Sequence, residues 1–484
     1  MSQVRRSVIF SSFTRYSIML ISLASTMVVA RLLTPDEIGT YAVASAIIMI
    51  INEFRILGAG DYLVREAELS VAKVQSAMGL TILISWSLGV LVFMFAPLAS
   101  EFFGYPAVLT IFQILSLNFF LAPLVSIPFA LLTRDMKFNL LFRAEVLAVT
   151  TNLFVTVSLI YAGMSYYSLA WGHTASTIIL FVLLTLFLRP ERMSYRPRFK
   201  GISEIASLGI FNSLANILRK ATVTVPDIVI GKMGTTYQVG IFSKGLGFVQ
   251  FLSQTLMMGV SPVALPYLSG ARREGGDVRF AYQRASVLLG GMVWPVLAVG
   301  SLASLPAIRL FFGDQWDAAA PLASSLAIWA ALRSVHWFSN EVLLAVHQEK
   351  IMALKDALVF GVLLVGIVLA FSGGLERIAQ VFVLAGFIEV ALISWVLRVY
   401  IALPFLPFLR VWLPNIFIAG GCALATLGLK KIVDFSEAPP WQPAILLAVV
   451  MPPIWLILLY IFRHPLYLEF RDVFVSFRKK LSDR

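Results

Sequence analysis

The 484-residue sequence has one cysteine, four histidines and a charged fraction of only 13%. A lone cysteine, Cys422, excludes a disulfide framework and a cysteine-based metal cluster. The histidines, His173, His336, His347 and His464, form no pair at metal-ligand spacing, and none has an acidic residue four positions on. A phosphate-cradling P-loop and a Gly-X-Ser-X-Gly elbow are also lacking. The intervals between apolar runs are short, that near 189–202 among them. Function is therefore expected within membrane helices and short loops, with no enzymatic chemistry, no cofactor and no metal.

What the chain has in abundance is apolar surface. Hydrophobic residues make up 59% of it, and a soluble domain of this length would carry about twice this charge fraction. Windows near twenty residues long and poor in charge recur from end to end, each enough to cross about 30 Å of hydrocarbon. The expected fold is all-α and membrane-integral, with spans at roughly 8–30, 38–60, 76–98, 107–132, 143–163, 168–188, 203–230, 238–264, 283–304, 318–346, 353–374, 376–402, 410–430 and 443–463. Arg5-Arg6 ahead of an apolar stretch resembles a signal peptide. The stretch is too long, carries Arg15 and lacks a small-residue cleavage site, so it reads as a retained first helix.

Basic residues orient these spans. Arg5, Arg6, Arg189, Arg192, Arg196, Arg198, Lys200, Arg272, Arg273, Arg279 and Arg478-Lys479-Lys480 fall on one side; Arg31, Lys232, Arg309, Arg377, Lys430 and Lys431 fall on the other. The positive-inside rule then places both termini in the cytoplasm. The net charge of +12 is mostly topology, and no nucleic-acid partner is expected.

The chain also repeats itself at an offset near two hundred residues. Ala30-Arg31-Leu32-Leu33-Thr34-Pro35-Asp36-Glu37-Ile38-Gly39-Thr40-Tyr41 is echoed by Gly231-Lys232-Met233-Gly234-Thr235-Thr236-Tyr237-Gln238-Val239-Gly240-Ile241-Phe242. Ile9-Phe10 pairs with Ile210-Phe211, and Phe102-Phe103-Gly104 returns as Phe311-Phe312-Gly313. The period is too long for a solenoid and points to two related six-helix lobes. The expected division is 1–200 for the first lobe, 201–402 for the second, 403–463 for two further helices and 464–484 for a cytoplasmic tail. In that tail Tyr467, Phe470, Phe474, Phe477 and Leu481 recur at helical spacing opposite Arg471, Arg478 and Lys479, the pattern of an interfacial amphipathic helix.

Charge inside the spans carries the functional signal. Arg55, Arg219, Lys220, Lys244 and Arg333 lie within spans, and Arg15 sits about two turns into the first. A central charge costs about 2.5–3.5 kcal/mol on insertion scales. Asn212, Asn216, Lys220, Thr224 and Asp227 form one polar stripe on the seventh span, and Asn52 with Arg55 ends another on the second. Arg333, His336 and Asn340 recur at steps of three and four on the tenth. Acids that would pair these cations or couple an ion are few: Glu53, Glu145, Asp227, Glu341 and Glu389. The stripes are expected to face a shared cationic cavity between the lobes. Such a cavity implies an anionic ligand, since Arg offers a planar fork to phosphate and Lys a point charge. Interhelical hydrogen bonding in a packed bundle is the competing reading of the neutral residues.

Ala30 to Tyr41, Gln238 to Lys244 and Leu310-Phe311-Phe312-Gly313-Asp314-Gln315-Trp316 together resemble the Wzx-type polysaccharide flippases of the multidrug/oligosaccharidyl-lipid/polysaccharide exporter superfamily. The resemblance covers essentially the whole chain, including fourteen helices as two six-helix lobes plus two. It implies translocation of undecaprenyl-pyrophosphate-linked oligosaccharide repeat units to the periplasmic leaflet of a bacterial inner membrane by alternating access. It also implies a cationic central cavity, a role that position in the helices assigns to Arg15, Arg55, Arg219, Lys220, Lys244 and Arg333, with Asn52, Asn212 and Asn216 beside them. Glu53, Asp227, Glu341 and Glu389 are then candidates for ion coupling. A periplasmic-side polymerase and a chain-length regulator are the implied partners besides the bilayer. The alternatives are an ion-coupled drug antiporter of the same superfamily, for which an acidic cavity would be expected, and an integral-membrane glycan-assembly enzyme.

Overall fold

A computed structural model of the chain describes residues 3–55, 59–187, 189, 193–202, 205, 210–257, 261–273 and 276–471, with the side chains of Arg15 and Asn212 outside that description. Among the described residues there is no strand. A backbone in hydrocarbon must satisfy its own polar groups, and the helix does so within one segment. Contacts divide the chain into two compact units, Met1–Ser243 and Lys244–Arg484.

The first unit contains α1 (Gln3–Leu32), α2 (Pro35–Phe54), α3 (Ala59–Arg65), α4 (Val71–Phe103), α5 (Ala107–Arg134), α6 (Phe138–Tyr161), α7 (Tyr167–Val182, continued by a π-turn Leu183–Phe187), α8 (Ile210–Met233) and the start of α9 (Thr236–Met257). Here α4 packs on α5, α6 on α7, α5 on α7, α1 on α6 and α2 on α8. Arg134, in the last turn of α5, donates to the Leu63 carbonyl (2.8 Å) and the Ala67 carbonyl (3.2 Å), which closes the end of α3. A side chain near a helix C-terminus serves the carbonyls that have no intrahelical donor.

The second unit holds the rest of α9, then α10 (Ser261–Arg273), α11 (Val278–Leu302), α12 (Ser304–Phe312), α13 (Ala320–Val335), α14 (Ser339–Ala345), α15 (Glu349–Ala370), α16 (Leu375–Ile401), α17 (Phe405–Ile432) and α18 (Trp441–Ile461). Its core pairs α11 with α17 and α13, α13 with α16, α15 with α16 and α17 with α18.

Among the described residues eleven helical segments are long and apolar enough to cross a membrane, against fourteen expected spans. The other three expected spans, 8–30, 203–230 and 238–264, overlap α1, α8 and α9. On α1 the segment Tyr16–Leu32 is apolar but shorter than a full span, while α8 and α9 carry Arg219, Lys220, Asp227 and Lys244, whose polarity lowers their hydropathy. Two expected spans are also interrupted. The second ends at Phe54, and the tenth is broken between Val335 and Ser339. Helix resumes at 465–471 beyond α18, where Arg284 of α11 holds Glu469 at 2.5 Å. Phe474, Phe477, Arg478, Lys479 and Leu481 lie outside the described residues.

The repeated motif has one local structure. Thr34 accepts from the Glu37 amide at 3.3 Å, and the Glu37 carboxylate accepts from the Thr34 amide at 2.8 Å. Gln238 donates its amide to Thr235 Oγ1 at 3.3 Å, while the Thr235 amide donates to Gln238 Oε1 at 3.1 Å. Both are reciprocal capping boxes, which satisfy two orphan amides at the start of a helix. Within the first unit the two boxes abut. A Cβ on Gly39 would lie 1.8 Å from the Thr236 carbonyl oxygen, and one on Gly240 would lie 2.1 Å from that of Pro35. Thr236 donates its hydroxyl to Asp36 Oδ1 at 3.0 Å, and Tyr105 donates to the Gly234 carbonyl at 3.2 Å. Lys232 donates to the Phe102 carbonyl and stands 4.4 Å from the Phe102 ring centroid. The Phe-Phe-Gly repeats also share a role: Gly104 (φ +76°) ends α4 and Gly313 (φ +100°) ends α12.

Two outcomes are expected. Gly39→Val or Gly240→Val forces backbone against a side chain and should destabilise by about 3 kcal/mol or more. Thermal unfolding of the detergent-purified protein reads this, and Gly247→Ala, where a Cβ meets open space, should be near neutral. The second concerns His464, whose Nδ1 accepts from the Leu466 amide at 3.1 Å and whose ring lies under Gly291. Burial pushes its pKa down to about 4. The unfolded imidazole therefore takes a proton first, and stability should fall as pH drops from about 6.5 to 4, by about 1.4 kcal/mol per pH unit. His464→Gln should flatten that pH dependence of the unfolding midpoint.

Candidate functional site

In the first unit the cations sit on α2 and α8. Arg55 caps α2, its amide donating to the Asn52 carbonyl at 3.2 Å, and Asn52, Glu53 and Arg55 are all half-buried. On α8 Arg219 and Lys220 are half-buried, and Arg219 donates to Asn216 Oδ1 three residues earlier. This partner is a neutral side-chain amide. Thr224 turns its hydroxyl back to the Lys220 carbonyl at 3.0 Å. Asp227 follows Pro226 inside α8, and its Oδ1 is buried without a hydrogen-bond partner. Among the described residues Arg55, Arg219 and Lys220 form no salt bridge. The side chains of Arg15 and Asn212 lie outside the described residues.

In the second unit each expected cation has a defined neighbour. Lys244 places its ammonium 4.8 Å from the Phe312 ring centroid and 4.9 Å from that of Trp316. Two aromatic faces stabilise a cation without neutralising it. Arg333 is different. Its Nε lies 3.3 Å from Glu389 Oε2 on α16 and 3.4 Å from Oε1, and its guanidinium stands 4.9 Å over Trp329. Arg333 and Glu389, expected as a ligand for substrate and a group for ion coupling, are partners of each other.

The interruption after Val335 separates the tenth-span stripe. His336 lies between the Tyr282 hydroxyl (2.9 Å from Nδ1) and Ser394 Oγ (2.8 Å from Nε2), with Phe408 stacked at 5.2 Å. Asn340, on α14, donates instead to Asp356 Oδ2 at 3.3 Å, and Asp356 accepts from Lys355 at 2.5 Å. Both members of that pair are buried. Lys355 and Asp356 are charged residues the sequence reading passed over. Their signal was an adjacent pair of opposite charge at the start of an apolar run. Glu341 adjoins Asn340 in the first turn of α14. No group of three or more His, Cys, Asp and Glu side chains converges among the described residues. Among the described residues Arg219, Lys220 and Lys244 form no salt bridge with a carboxylate, and Arg55 has only the through-space attraction of Glu53 two residues earlier.

The family model described as "Polysaccharide biosynthesis protein" matches residues 28–321. The teichuronic acid biosynthesis protein TuaB of Bacillus subtilis is 22% identical over 408 residues, 81% of this chain and 82% of that protein. The succinoglycan biosynthesis transport protein ExoT of Rhizobium meliloti is 23% identical over 336 residues, 67% of this chain and 66% of that one. Among solved structures, the lipid II flippase MurJ in an inward closed conformation superposes with a TM-score of 0.71 at 15% identity, covering 96% of this chain and all of that one. A match at that identity speaks to fold alone. The chain is thus a multi-pass membrane protein with the fold of a lipid flippase, and it belongs to the polysaccharide biosynthesis protein family.

Proposed function

We propose that this protein translocates undecaprenyl-pyrophosphate-linked oligosaccharide repeat units from the cytoplasmic to the periplasmic leaflet of a bacterial inner membrane, by alternating access. The observation that carries the reading is the set of membrane cations left without a carboxylate partner, Arg219 and Lys220 foremost, in a chain of this family. An unpaired cation at membrane depth is costly unless water or an anion meets it. A pyrophosphate tethered to lipid supplies the anion, and Arg and Lys supply the donors it needs. Arg55 and Lys244 are further cations able to contact an anionic headgroup, and Asn52 and Asn216 offer neutral contacts to it or to the first sugars. With Glu389 paired to Arg333, the candidates for ion coupling are Glu53, Glu341 and Asp227, whose Oδ1 is buried without a hydrogen-bond partner. Consumption of the exported repeat by a periplasmic polymerase would draw the cycle forward.

The test is export. Arg219→Glu with Lys220→Glu removes two charge-assisted contacts, each worth about 1.5–3 kcal/mol. Surface polysaccharide should fall by about tenfold or more while protein abundance stays normal and the lipid-linked repeat accumulates inside. Wild-type polysaccharide from that variant would refute the assignment. Arg333 should behave otherwise. Arg333→Ala strands a buried Glu389, and breaking such a pair costs about 3–5 kcal/mol. The unfolding midpoint and membrane abundance should drop, and the double variant Arg333→Met/Glu389→Leu should regain most of the loss.

A further inference from the structure

The second unit contains a cavity of about 350 Å³ at the shared ends of α10, α11, α15 and α16. It lies on the face that the excess of basic residues marks as cytoplasmic. Two guanidinium groups line it, Arg272 from the last turn of α10 and Arg279 from the first turn of α11. Arg272 donates one N–H to the Ala345 carbonyl that ends α14, and a guanidinium has five to give. Arg279 places Nε and Nη2 on the Asp277 carboxylate at 2.8–3.1 Å, which leaves its Nη1 edge open. Two guanidiniums against one carboxylate leave the lining positive, and the exposed Arg273 and Arg398 stand in the last turns of the same helices.

Neutral donors complete the set. After α14 the chain turns back through His347 (φ +60°), with the Gln348 amide donating to the Leu343 carbonyl at 2.8 Å and the His347 amide to Leu344 at 3.1 Å. These crossed bonds form a Schellman motif, and they fix Gln348 at the rim. Among the described residues neither the Gln348 carboxamide nor the Tyr400 hydroxyl has a hydrogen-bond partner, and both line the cavity. The remaining wall is aliphatic: Val278, Val346 and Ile401. The lining thus combines hydrogen-bond donors with aliphatic carbons, at the level where three membrane-crossing helices begin or end. Free phosphate would use only the first half of that lining.

We propose that this cavity is a binding site for an anionic phospholipid of the cytoplasmic leaflet. The phosphodiester sits among Arg272, Arg279, Gln348 and Tyr400, and the first acyl carbons rest on the aliphatic wall. Basic pockets between helices at the cytoplasmic surface have this chemistry. The site is separate from the membrane-embedded cations, so its fate does not depend on what the protein transports.

The experiment is thermal unfolding of the full chain in detergent with phosphatidylglycerol, phosphatidylcholine or soluble glycerol 1-phosphate added at equal concentration. Phosphatidylglycerol should raise the midpoint by about 2–4 °C more than phosphatidylcholine does. Tyr400→Phe, which removes a single oxygen, should reduce the difference, and Arg279→Gln with Tyr400→Phe should abolish it. Equal shifts from the two lipids would overturn the proposal, as would a double variant that keeps the preference. Reproduction of the full shift by glycerol 1-phosphate would also overturn it, in favour of a free-phosphate site.

Discussion

A cation carried into hydrocarbon must meet a counter-charge, an aromatic face or water, and the rest of this structure follows from how that need is met. The chain has 38 basic residues and 26 acidic ones, and most of the excess lies in loops. The few cations inside the helices are answered in three distinct ways. Arg333 and Lys355 take carboxylates, from Glu389 and Asp356. Lys244 takes the faces of Phe312 and Trp316. Arg219 takes only the neutral oxygen of Asn216. Electrostatic compensation therefore decreases from the first group to the last.

Much of the architecture was legible because hydrocarbon imposes a single rule on the backbone. Among the described residues each expected span overlaps a helix, though not always along its whole length, since an apolar run has no other way to hide its amides in hydrocarbon. The interruptions were not legible. Nothing in the apolar pattern from 318 to 346 signals that the helix stops after Val335. The cause is tertiary: His336 is drawn to Tyr282 and Ser394, which come from helices distant in the chain. The pairing of Arg333 with Glu389 was hidden for the same reason. The two are 56 residues apart, and sequence spacing reports neighbours only along one helix.

The site reading shifts accordingly. A stripe of polar residues on an isolated helix identifies a face but not what covers it. On α8 Asn216, Arg219 and Lys220 are half-buried and Thr224 is buried on one continuous helix, with the Asn212 side chain outside the described residues. On the tenth span the same periodicity dissolved into two local networks, one around His336 and one around Asp356. Length of unbroken helix separates the two cases. The capping boxes were legible in principle, because Thr-X-X-Glu and Thr-X-X-Gln are local signatures whose bonds close within four residues.

That the two copies of the motif touch each other has a consequence for how such a chain can change. After a duplication, each half drifts under its own pressures, and most positions lose their likeness. Gly39 and Gly240 are held differently, because a side chain on either would run into the main chain beside the other. Neither copy can accept a larger residue unless its twin retreats at the same time, which a single substitution cannot arrange. The echo in the sequence is thus less a relic of descent than a seam under mutual veto.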